Sequence, residues 1–166
     1  MKQYLDLIYK SLGEELTGEV YTFENIVSFI AMNKGASSIE ITDCDFHFAG
    51  RLPVDYKLFL TCFNGGTLYG VDDLSGFKLL STDEIVQHNE FHKLHFGDDW
   101  DDNVILFCQC IGDGDYVGFQ VTNNIEYQLV DCFGEVLPSN WALLDMKFDD
   151  FIERLMKEKG RKYWLV

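Results

Sequence analysis

The sequence predicts an α+β fold, on three observations. Apolar stripes at helical spacing stand near both ends of the chain. Three strand candidates follow one another at short intervals between Val104 and Asp131. Runs of helix, then strand, then helix separate the two element types rather than alternating them. Apolar residues make up 47% of the 166 residues and aromatics 15%, with 14 Phe. That is enough to build a core at a length of one ordinary domain, and it argues against disorder.

From the N-terminus, Leu5, Ile8, Tyr9, Leu12 and Leu16 make one helical stripe over Gln3 to Leu16. Gly18 marks a break. Thr22 reads as the cap of a second helix carrying Phe23, Ile26, Val27, Ile30 and Ala31, stopped by Lys34-Gly35. The stretch Ala36 to Gly50 is ambiguous. Ile39 and Ile41, then Phe46 and Phe48, alternate as in a strand, and a helix is the competing reading. Pro53 suits the first turn of a helix bearing Tyr56, Phe59, Leu60 and Phe63, which Asn64-Gly65-Gly66 ends.

Extended pieces follow at Thr67 to Val71 and Phe77 to Leu80. Ser81-Thr82-Asp83-Glu84 has the spacing of a capping box and predicts a helix to about His92. After an acidic loop come strands Val104 to Cys110, Tyr116 to Thr122 and Ile125 to Asp131, an antiparallel meander. Gly112-Asp113-Gly114-Asp115 and Asn123-Asn124 supply its turns. Phe148, Phe151, Ile152, Leu155 and Met156 form the closing helical stripe.

Charge narrows the function. Thirteen basic against 28 acidic residues give −15, a field that repels phosphate. Nucleic acid and anionic membranes are therefore not expected as partners, whereas a basic protein would be steered inward. The five cysteines are odd in number, lack a Cys-x-x-Cys pair and sit largely in apolar runs. They read as buried reduced thiols of a cytoplasmic protein. Neither a signal peptide nor an apolar run of about 20 residues is found.

Several blocks resemble the SMI1/KNR4 group, also called the SUKH superfamily. They are Leu52-Pro53-Val54-Asp55-Tyr56-Lys57-Leu58-Phe59-Leu60 with Asn64-Gly65-Gly66, Ile111-Gly112-Asp113-Gly114-Asp115-Tyr116-Val117-Gly118-Phe119, and Phe148-Asp149-Asp150-Phe151-Ile152-Glu153. Their order covers about Ala36 to Met156. The chain departs from the pattern before Leu52, where Thr42-Asp43-Cys44-Asp45 replaces a Glu-rich helix, and over about residues 1–35, which read as a less family-like segment of a single domain spanning 1–166. The resemblance implies helices packed on a curved sheet, antiparallel or mixed. It favours a helix in the ambiguous stretch. It also implies a non-enzymatic role, with bacterial members resembling immunity proteins that bind toxins, many of them nucleases, and fungal members resembling regulators of cell-wall synthesis and signalling.

Residues that can carry chemistry are few. His88, His92 and His95 are spaced to share a helix face, which can bind zinc or nickel; the other reading is a polar face that contains histidines. The His-Glu-x-x-His pattern is absent, as are a phosphate-binding loop and a Gly-x-Ser-x-Gly elbow. Asp43 and Asp45 flank Cys44 and raise its pKa, so a pair with His47 is not favoured. The loop Asp98, Asp99, Trp100, Asp101 and Asp102 lacks the order of an EF-hand and reads as a solvated loop or a docking element for a cationic protein. With Asp113, Asp115 and Tyr116 it forms the expected partner-binding set. No cofactor is expected. The leading reading is an immunity protein that captures a basic toxin. A regulatory scaffold and a metal-dependent enzyme built on the histidine face are the alternatives.

Overall fold

The computed structural model describes residues 2–122 and 126–165. Eight strands form one antiparallel sheet whose spatial order is their sequence order. They are β1 (Thr17–Tyr21), β2 (Val27–Met32), β3 (Gly66–Val71), β4 (Ser75–Leu79), β5 (Val104–Cys110), β6 (Tyr116–Val121), β7 (Tyr127–Cys132) and β8 (Ala142–Leu144). Five helices punctuate them: α1 (Gln3–Ser11), α2 (Ser38–His47), α3 (Val54–Cys62), α4 (Thr82–Phe96) and α5 (Phe148–Lys157). The α+β reading holds, and every strand pair is antiparallel.

The second helix expected at Phe23 to Ala31 is instead the turn and return strand of the β1–β2 hairpin. Two periods compete there. Ser28, Ile30 and Met32 are buried while Val27 and Phe29 are exposed, which is period two rather than 3.6. Thr22 still caps, but it caps a turn: its hydroxyl accepts from the Ile26 amide at 3.1 Å, and Asn25 adopts φ +59. Helix α1 also stops at Ser11, short of Leu16, because the Gly13 amide donates to the Thr17 carbonyl and turns the chain into β1. Gly18 lies inside β1, where a Cβ would stand 1.8 Å from the Ser11 carbonyl oxygen. Its break in the pattern is thus a close approach of helix end to strand.

The ambiguous stretch is α2. Ser37 and Glu40 form a capping box: the Ser37 hydroxyl accepts from the Glu40 amide at 3.2 Å, and the Ser37 amide donates to the Glu40 carboxylate at 2.7 Å. Pro53 precedes α3 by one residue, at its N-cap. Gly65 and Gly66 take φ +75 and +152 beyond the end of α3. A side chain there would clash with the Leu79 and Ala31 carbonyl oxygens, each 2.6 Å from an ideal Cβ. The turn expected at Asn123-Asn124 and the start of a strand at Ile125 lie outside the described residues. The three-residue strand β8 gave no usable period.

The core is aromatic. Tyr56 of α3 is fully buried among Phe59, Phe107, Phe119 and Phe148, with ring centroids 5.3–5.6 Å apart. Its hydroxyl donates to the Leu80 carbonyl. Alternation along β6 places Phe119 toward α3 and α5 and Tyr116 on the opposite face. There α4 brings His88 and His92 against Tyr116. The second face of the sheet thus carries the histidines.

Candidate functional site

Position and local chemistry of α4 build the site. The capping box at Ser81 and Glu84 starts the helix, and Lys78 pairs with Glu84 at 2.6 Å. Asn89, one of few buried polar residues, fixes its middle. Pairing of β4 with β5 ends at Leu79–Cys108, which leaves the backbone of Leu106 without a strand partner on that side. The Asn89 carboxamide takes both groups: it accepts from the Leu106 amide at 2.8 Å and donates to the Leu106 carbonyl at 2.9 Å. Helix α4 then runs one turn further than the sequence indicates, to Phe96, so that His95 is helical. Gly97 ends it at φ +55.

The three histidines diverge in what they do. His88 Nδ1 shares a hydrogen bond with the Tyr116 hydroxyl at 2.7 Å. His92 Nδ1 lies 2.8 Å from the His88 carbonyl oxygen, which can only accept, so this nitrogen carries the proton. His95 is exposed and stacks parallel to Phe91 at 6.4 Å. Burial lowers the pKa of both His88 and His92, and raises that of Tyr116 to about 12. Among the described residues, no group of three or more His, Cys, Asp or Glu is placed to hold a metal ion.

The acidic loop splits into two functions. Asp98 and Asp99 sit on a single 3₁₀ turn, exposed, with no ion pair among the described residues. Asp101 and Asp102 are tied to the fold instead, Asp101 half-buried and Asp102 exposed but paired. The Asp101 carboxylate accepts from the Asn103 amide at 2.9 Å and from Gln120 Nε2 at 3.0 Å. Asp102 pairs with Lys93 at 2.8 Å, and its carbonyl accepts from Arg51 Nη2 at 2.7 Å. Trp100 is half-buried: it stacks on Phe96 at 6.2 Å and meets Trp141 edge-on at 6.1 Å.

Asp113 and Asp115 stand on the β5–β6 turn and converge on Lys162, with Asp115 Oδ2 at 3.0 Å. Asp115 is buried and also accepts from the Gly134 amide at 2.9 Å. Tyr116, next in sequence, is buried beneath the histidines. Of the residues expected to meet a partner, Asp98, Asp99 and Trp100 therefore gather at the end of α4. Asp101, Asp102, Asp113 and Asp115 bond within the chain, and Tyr116 forms the floor. Sequence reasoning missed Phe91, Phe96 and Trp141, whose rings complete the surface. The signal was an apolar residue on the outer face of α4: Phe91 is 65% exposed and Leu94 83%. These rings enclose a recess of about 220 Å³ between α4 and β6–β7, with Leu106, Tyr116 and Cys132 at its base.

Four of the five thiols are buried, and burial disfavours their thiolates. Burial raises the pKa of Cys44 and Cys110 to about 12 and moves Cys108 and Cys132 in the same direction, and all five cysteines are unpaired. Among the described residues no helix is long and apolar enough to cross a membrane.

Comparison with known proteins agrees with the sequence blocks. The uncharacterized protein YnaB of Bacillus subtilis (strain 168) is 28% identical over 134 residues, covering 79% of this chain and 83% of that protein. The family model described as SMI1 / KNR4 family (SUKH-1) matches residues 35–154, more than two thirds of the chain, and leaves the β1–β2 hairpin and α1 outside it. The matched part contains α2 through most of α5, with the Leu-Pro helix, the glycine stop and the whole of α4, and so this chain belongs to the SMI1/KNR4 family.

Proposed function

We propose that this chain is an immunity-type protein of the cytoplasm that neutralises a basic toxin, in the simplest case a nuclease, by binding it. The family includes immunity proteins. The observation that carries the reading is the pair Asp98 and Asp99, exposed and without ion pairs among the described residues, close in the chain to Phe96 and Trp100, whose rings meet Trp141, in a chain of net charge −15. Aromatic anchors next to unneutralised carboxylates suit a surface whose own partners are Lys and Arg.

Steering by the net field speeds encounter, and desolvated rings slow release. Inhibition follows when the bound chain covers the basic surface with which a nuclease holds its substrate. The test is co-expression with the product of a neighbouring toxin-like gene. Survival of the host and co-purification of a complex are expected. Failure to rescue, with a complex that leaves the partner active, would favour the regulatory scaffold instead.

A further inference from the structure

The recess beside α4 is chemically specific. At about 220 Å³ it is smaller than the roughly 300–1,000 Å³ typical of small-molecule pockets, and suits a single long side chain. Buried Tyr116 forms its floor, while Phe91, Phe96 and Trp141 stand around it as walls, with Phe96 edge-on to Trp141 at 5.7 Å. Ring faces carry negative potential and attract cations. The nearest cation in sequence, Lys93, is bound to Asp102. His92, which lines the recess, uses its proton on the His88 carbonyl, leaving Nε2 as an acceptor. Burial disfavours its charged form. Asp98 and Asp99 follow Phe96 by two and three residues.

We propose that this recess takes one guanidinium group, that of an arginine side chain presented by the bound protein; the source of the arginine rests on the binding role proposed above. An aliphatic side chain would fill the space but leave the His92 acceptor without a partner and the ring faces without a cation. A lysine would meet the charge, but its strongly hydrated ammonium cannot lie flat against the rings, whereas the planar guanidinium stacks and sheds water more easily.

The test needs no partner. N-acetyl-arginine amide is titrated into the full chain and followed by the indole resonance of Trp141. Saturable binding is expected, about fivefold or more tighter than for N-acetyl-norleucine amide and tighter than for N-acetyl-lysine amide. Free arginine, whose ammonium and carboxylate cancel to leave the same net charge, should bind no more tightly than the capped probe. Phe91→Leu should remove the preference while leaving the melting temperature near that of the wild type, because this ring is largely exposed. Equal binding of the norleucine probe, a preference for lysine or for free arginine, absence of saturation, or indifference to Phe91→Leu would each overturn the proposal. A chain that takes the arginine probe yet rescues no cell keeps the recess and loses the toxin reading.

Discussion

Asn89 stands in for a strand. Where β4 leaves the sheet, its carboxamide offers the acceptor and donor that a neighbouring backbone would have supplied to Leu106. Removing it leaves two buried backbone groups unsatisfied, each costly. Asn89→Ala should destabilise the protein by about 2–4 kcal/mol in urea unfolding, and Asn89→Asp should not restore it, because a carboxylate cannot donate to the Leu106 carbonyl. Unchanged stability in Asn89→Ala would mean that the sheet does not depend on this bridge. Tyr56 makes a similar commitment inside the aromatic cluster, and Tyr56→Phe, which keeps the ring and drops the donor to Leu80, should cost about 1–2 kcal/mol. Neither role was legible in the sequence. Tyr56 was readable as core from its helical spacing. An asparagine in the middle of a helix looks like any polar residue until a strand end is found beside it.

Helices that carry their own start signal were the legible elements. Ser81 and Glu84 announced α4, and Ser37 with Glu40 is the same device in α2, where alternation of Ile39, Ile41, Phe46 and Phe48 obscured it. None of those four apolar side chains is fully buried, and Ile39 at 71% and Phe46 at 85% are largely accessible, so they did not report the buried face. The β1–β2 hairpin misled in the opposite sense: its apolar residues lie on both faces of an edge of the sheet, and a short window cannot separate the two periods. The sequence places the end of α4 near His92; the helix reaches Phe96, and that last turn brings His95 and Phe96 to the recess.

The same helix should respond to pH. Burial holds His88 and His92 below the ordinary imidazole value of 6.5. The unfolded chain therefore takes up protons first, and stability falls as pH drops through 6.5, until it passes below the folded values. Glu84, held below 4.5 by Lys78 and by the Ser81 cap, loses its contribution only at lower pH. Melting temperature is followed between pH 7.5 and about 5, the range in which the unfolded chain protonates these two imidazoles. Replacement of both by Gln should flatten the decline; an equal slope in wild type and variant would place the titration elsewhere.

At the scale of the whole molecule, charge and aromatic content were readable from composition, but their arrangement was not. The acidic loop was visible as a block in which every carboxylate looked alike. Only the fold separates Asp101 and Asp102, engaged with Gln120, Asn103 and Lys93, from Asp98 and Asp99, which have no ion pair among the described residues. Likewise Trp141 lies 41 residues beyond Trp100 in the chain, and a sequence gives no reason to join them until β8 follows β7 and brings their rings to 6.1 Å. The net charge of −15 implies that association with a basic protein slows as salt shortens the reach of the field. The measurement that bears most directly on the account is the association rate of the rescued toxin with the wild-type chain and with the Asp98→Asn/Asp99→Asn variant, at low and at physiological salt. The variant should associate about three- to tenfold more slowly at low salt, with a shallower salt dependence. Equal rates and equal salt slopes for the two proteins would contradict it.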